Sequence, residues 1–171
     1  MTISILIISF LMDGIISNYV SFSGLFVPLF SLIGLIVSYE FFNFEKESFY
    51  KYAFILGLCY DLIYTDTFVF YAFLFMFMAF IIMHVTKILT SNYFGLVLVS
   101  VICIILFRCT TYFFLVITGN AIFNLDNLYK GIYSSFLINI IYGFIVKFIC
   151  DLIVSYKFKR KKFYWLMWYK W

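Results

Sequence analysis

Proline is almost absent from this chain: Pro28 is the only one in 171 residues. Glycine is sparse at eight, charged residues make up 12%, and there is a single histidine, His84. Each scarcity removes a class of function. One histidine supplies no His-Glu-x-x-His or equivalent ligand set, so an intramembrane metalloprotease is excluded and no metal site is expected. No serine sits in the Gly-x-Ser setting that a rhomboid-like Ser-His dyad needs, and no Gly-rich phosphate loop or nucleotide motif is present. The chain reads as a non-enzyme without a cofactor, and His84, near the end of an apolar stretch, reads as an interfacial residue. Cys59, Cys103, Cys109 and Cys150 include no Cys-x-x-Cys pair and all lie within apolar stretches. They read as small core residues, not as disulfides or metal ligands.

What the chain has instead is apolar surface. Hydrophobic residues make up 66% of it and the mean hydropathy is +1.09, far outside the range of a soluble domain. A hydrocarbon core of roughly 30 Å takes about 20 apolar helical residues to cross. Six such stretches are present, near 3–20, 24–42, 49–65, 67–85, 94–118 and 132–155. Their runs are continuous, without the in–out alternation of a β-barrel, so the expected fold is all-α, a polytopic transmembrane bundle of about six spans. Extramembrane domains, soluble substrates and nucleic-acid partners are excluded. Only Asp66 and its flanking threonines separate the third and fourth stretches, which predicts a tight helical hairpin.

Lysine and arginine set the orientation, because cationic loops stay on the cytoplasmic side. Six spans with both termini cytoplasmic put nine basic residues inside, at 46, 51, 87, 157, 159, 160, 161, 162 and 170, against Lys130 outside. The N-terminus lacks a basic region and a small-x-small cleavage site and carries Asp13 in its apolar run, so it reads as a retained signal-anchor span. Residues 1–155 form one transmembrane domain and 156–171 a basic, aromatic cytoplasmic tail. In that tail Lys157, Lys159, Arg160, Lys161 and Lys162 read as a topology-setting anchor at the membrane surface. The functional alternative is a docking segment for anionic lipid or a cytoplasmic partner, because each such residue gains about 1 kcal/mol near an anionic leaflet.

An ionisable side chain within a span is costly unless paired or hydrated. Five stand out: Asp13, Asp61, Arg108, Lys147 and Asp151. Lys147 and Asp151 are four residues apart on the sixth span and can pair along one face. Asp13, Asp61 and Arg108 fall at comparable depth on three different spans, so one guanidinium could bridge two carboxylates inside the bundle. Such a buried ion network would fix helix register, or else form a substrate, ion or partner site.

Around Asp61 the sequence becomes specific. Gly57 and Asp61, four residues apart, share a helix face; the glycine permits close helix approach and the carboxylate projects above that contact. Residues 57–65 read Gly-Leu-Cys-Tyr-Asp-Leu-Ile-Tyr-Thr. This resembles the rod-shape-determining MreD family in its low-GC Gram-positive form, whose third hydrophobic segment carries Gly-x-x-Tyr-Asp followed by Tyr-Thr. Gly57, Tyr60, Asp61, Tyr64 and Thr65 match position by position. Val27-Pro28-Leu29-Phe30 resembles the family's opening of the second span, and Leu137-Ile138-Asn139 its Leu-x-Asn element in the last. The colinear order covers essentially the whole chain. Three departures stand out: Val69 occupies a usual glycine, Leu29 a frequent arginine, and Ser134 or Ser135 a proline.

The resemblance implies a non-enzymatic component of the cell-elongation machinery in the bacterial plasma membrane. The family associates with the bitopic protein MreC and, through it, with actin-like MreB and the peptidoglycan synthases that build lateral wall. Pro28, Gly57, Tyr60, Asp61 and Asn139 are then candidates for helix packing or a partner interface, with Pro28 expected to kink the second span and open a groove. The alternative is the substrate-capture subunit of an energy-coupling-factor vitamin transporter, which shares the six-helix layout. It would line an outward cavity with Asp61, Arg108 and aromatics, and offer an Ala-x-x-x-Ala face to its coupling subunit. The chain has no such spacing; Ala72 and Ala79 are the nearest substitute.

Overall fold

Away from water every backbone N–H and C=O must be bonded within its own segment, and continuous apolar runs meet that demand as α-helices. The computed structural model describes residues 2–19, 28–39, 46–65, 67, 69–88 and 93–168, the last twelve as backbone only. Six helices follow in chain order: α1 (Thr2–Tyr19), α2 (Phe30–Tyr39), α3 (Lys46–Tyr64), α4 (Phe70–Ile88), α5 (Tyr93–Ile117) and α6 (Leu125–Trp168). The described residues contain no strand, so the all-α expectation holds. Three stretches, Phe70–Lys87, Tyr93–Ile117 and Leu125–Tyr156, are long and apolar enough to cross a membrane. By length and composition this is a helical membrane protein.

The centre of the bundle is α2. All ten of its residues are buried, and it packs against each of the other five helices. Leu32, Ile33, Leu35 and Val37 are wholly enclosed, together with Phe49 of α3, Met78 and Ile82 of α4, and Cys103 and Ile104 of α5. Around it, α1 packs on α2 and α3 on α4, the latter pair making the expected helical hairpin, and α5 packs on α6. Outward faces are apolar too, as at Ile7 and Leu11 of α1 and Ile141 and Phe148 of α6, which are exposed. That is the pattern of a bundle solvated by lipid.

The second apolar stretch, read as a span over 24–42, holds helix α2 over Phe30–Tyr39, and Pro28 and Leu29 ahead of it are not helical; residues 24–27 and 40–42 lie outside the described residues. Pro28 does not kink this helix: it lies two residues ahead of it, where a residue without an N–H suits a helix start. Helix α6 runs for 44 residues, about 66 Å, without a break at the boundary placed after residue 155. The backbone therefore continues from span into tail as one helix; the side chains of Lys157, Lys159, Arg160, Lys161 and Lys162 lie outside the described residues.

Candidate functional site

A helix that begins inside a bundle exposes N–H groups that have no partner of their own, and apolar surroundings offer no water to take them. Both α2 and α4 begin in this way, and neither has a polar residue at its cap: the preceding residues are Leu29 and Val69. The acceptors come from neighbouring helices instead.

For α4 the acceptor is Asp61 of α3. Its Oδ1 accepts from Tyr71 N at 3.1 Å and Thr67 Oγ1 at 2.6 Å, and its Oδ2 accepts from Ala72 N at 2.9 Å. One turn earlier on α3, Gly57 makes this possible. A Cβ at Gly57 would lie 2.5 Å from Ala72 Cα and 2.8 Å from Ala72 N, so only glycine lets this turn of α4 come within reach of the carboxylate. The approach is sharp enough to hold Val69 at φ +60°, a left-handed conformation foreign to a β-branched residue. Val69 occupies the position where the MreD-like pattern carries glycine.

For α2 the acceptor is Asp13 of α1. Phe30 N donates to its Oδ1 at 2.6 Å, Ser31 N to its Oδ2 at 2.7 Å, and the Ser31 hydroxyl also donates to Oδ2. The Leu29 N–H goes to Asn139 Oδ1 of α6 at 2.7 Å. Asn139 Nδ2 in turn donates to Ser135 O at 2.5 Å, and Ser135 Oγ accepts from Arg108 Nε at 2.8 Å. A polar chain therefore runs from α5 through α6 to the start of α2, and from there to α1. Ser9, one turn before Asp13, is fully buried against Gly34 of α2, where a Cβ would lie 2.6 Å from Ser9 Cβ. Ser9 and Asp13 thus repeat the spacing of Gly57 and Asp61.

The expected bridge of Asp13 and Asp61 by Arg108 does not form. Both carboxylates are taken by helix N-termini, Arg108 bonds Ser135, and its Nη2 is buried with no hydrogen-bond partner. The physical reason is competition: unbonded N–H groups next to each carboxylate are nearer acceptor-seekers than a guanidinium on another helix. Lys147 and Asp151 are joined by Tyr93 of α5, whose hydroxyl donates to Asp151 Oδ2 at 2.9 Å while its ring lies 5.6 Å from Lys147 Nζ. Lys147 is buried and Asp151 exposed.

Pro28, Gly57, Asp61 and Asn139 are buried and Tyr60 half-buried. Gly57, Tyr60, Asp61 and Asn139 serve packing contacts inside the chain, one of the two roles expected for them. Tyr60 stacks among Tyr64, Tyr71, Phe75 and Phe10.

Beside this ring cluster lies a polar cavity of about 230 Å³, lined by Asp13, Ser17, Tyr60, Tyr64, Thr65 and Tyr71. Asp61 and Arg108 do not line it. Among the described residues no three His, Cys, Asp or Glu side chains gather as a metal site.

No family model, curated protein or solved structure matches the chain. Function is therefore argued from this site's own geometry. Its chemistry is positional: two carboxylates and one amide fix where two interrupted helices begin. Sequence reasoning found Asp13, Asp61 and Asn139 but missed Ser31, Ser135 and Ser9. The available signal was a serine one turn from an intramembrane Asp or Asn: Ser9 precedes Asp13 and Ser135 precedes Asn139, each by four residues.

Proposed function

We propose that this chain is a non-enzymatic, MreD-like membrane scaffold of the bacterial cell-elongation machinery. It spans the plasma membrane six times with both termini cytoplasmic, and binds MreC, so that MreB and the peptidoglycan synthases are positioned for lateral wall growth. The observation that carries the reading is the pairing of Gly57 with Asp61. The most specific element of the resemblance, Gly-x-x-x-Asp, has a definite physical task here: the glycine admits the first turn of α4 and the carboxylate caps it. A motif with such a task is less readily a chance string in apolar sequence. The buried centre and scarce extramembrane chain also suit a protein that works by presenting helix faces to partner helices. Depletion in the native bacterium tests this: rods or ovoids should become round within a few generations, whereas unchanged shape would reject it.

The polar cavity favours a second reading, the substrate-capture subunit of an energy-coupling-factor-type transporter. Two features weigh against it. Asp61 is committed to α4 and does not face the cavity. Ala72 and Ala79 are fully enclosed and offer no face to a coupling subunit. Co-purification of an ATPase pair would favour this reading over the scaffold.

A further inference from the structure

The groups around the cavity are unevenly engaged. The two Asp13 oxygens receive three hydrogen bonds from α2, and the Thr65 hydroxyl donates to Thr67 Oγ1 at 2.8 Å, whose own proton goes to Asp61. Tyr64 is also engaged, donating to Phe10 O at 2.7 Å. Two hydroxyl donors are not taken. Tyr60 and Tyr71 stand with ring centroids 4.9 Å apart, and neither hydroxyl has a hydrogen-bond partner among the described residues. Arg108 is close enough to interact electrostatically with Tyr60, Tyr71 and Asp13, and its Nη2 is the one buried side-chain nitrogen or oxygen without a partner among the described residues. Among the described residues no carboxylate is within ion-pair distance of it.

Unused donors beside an unpaired cation, in apolar surroundings, call for an oxygen acceptor that carries negative charge. At about 230 Å³ the space is smaller than sites for drug-sized ligands, at roughly 300–1,000 Å³, but ample for a single acid group. We propose that this cavity is a binding site for a small oxyanion, a phosphate or a carboxylate, received by the Tyr60 and Tyr71 hydroxyls in the field of the Arg108 guanidinium. Asp13 offsets that field only in part, because its carboxylate faces the positive end of α2, which carries roughly half an elementary charge. The site is independent of the scaffold reading, since nothing in its geometry involves a partner protein.

The test uses the full chain purified in mild detergent, with inorganic phosphate as the probe and sodium chloride at matched ionic strength as the control. A saturable rise in melting temperature with phosphate is expected. It should weaken roughly tenfold or more in apparent affinity for each hydroxyl removed by Tyr60→Phe or Tyr71→Phe, substitutions that keep the stacked rings and hence the fold. In parallel, native mass spectrometry from phosphatidylglycerol nanodiscs asks whether one lipid stays bound. A phosphate response that the Phe variants weaken identifies a free oxyanion. A retained lipid that the variants lose, without a phosphate response, identifies a lipid headgroup as its source. Absence of both, or either persisting unchanged in the double variant, overturns the proposal.

Discussion

Asp13 and Asp61 stand in the same relation to the helix that follows each of them. Each projects from the far part of one helix, one turn beyond a small residue, and accepts two backbone N–H groups from the first turn of the next. Ser9 and Gly57 are the small residues, and each meets the capped helix directly. The first four helices are thus two copies of one device, a helix whose carboxylate starts its successor. A capping residue normally belongs to the helix it caps. Here the acceptor is supplied across a helix–helix contact, so capping and packing become one interaction.

Removing either carboxylate should therefore cost more than an ordinary cap. Asp61→Ala leaves the Tyr71 and Ala72 N–H groups and the Thr67 hydroxyl without an acceptor, for an expected loss of about 2–5 kcal/mol. Asp61→Asn keeps one oxygen and should lose about 1–2 kcal/mol. Asp13→Ala and Asp13→Asn should follow the same order. Denaturant unfolding of the purified protein in detergent measures all four, and equal losses for Asn and Ala would contradict the capping role.

Gly57→Ala should be destabilising by about 1–3 kcal/mol, because the new methyl meets backbone atoms of Tyr71 and Ala72, which cannot swing away as a side chain can. Gly131→Ala is the control, since nothing lies within 4 Å of a Cβ there. Comparable melting temperatures for the two variants would remove the close approach from the explanation.

At Val69 the expected sign is reversed. A left-handed β-branched residue stores about 1–2 kcal/mol, and glycine returns part of that as extra freedom in the unfolded chain. Val69→Gly should stabilise the protein by about 0.5–1 kcal/mol, seen as a raised melting temperature. A lowered one would mean that the half-buried valine side chain contributes more through packing than the backbone loses.

Arg108 offers the opposite contrast to the two aspartates. With one hydrogen bond to Ser135 and no carboxylate in contact among the described residues, its burial is poorly repaid. Arg108→Met, of similar length, should leave stability within about 1 kcal/mol of the native chain or raise it. A loss above about 3 kcal/mol would show that the guanidinium is paired after all.

How far the sequence led is instructive residue by residue. Helices were legible because long apolar runs admit little else, and α3 through α5 lie within a few residues of where hydropathy places them. Gly57 and Asp61 were legible because a helix puts residues four apart on one face. The start of α2 at Phe30 was not, since an apolar run of nineteen residues does not show where within it a helix begins. That hidden start misdirected the electrostatics. Counting charges made Arg108 the partner of Asp13 and Asp61, whereas their partners are backbone N–H groups that no charge count includes. Ser135 and Ser31 escaped for a related reason: a serine in an apolar run ordinarily bonds its own helix, as Ser135 does at Gly131 O, and only tertiary placement reveals the bonds to Arg108 and Asp13.

The central claim, a scaffold that binds MreC, is tested most directly by purifying the tagged chain from native membranes in mild detergent and identifying its companions by mass spectrometry. MreC together with elongation synthases is the expected result. Recovery of an ATPase pair and a coupling subunit, with MreC absent, would contradict it.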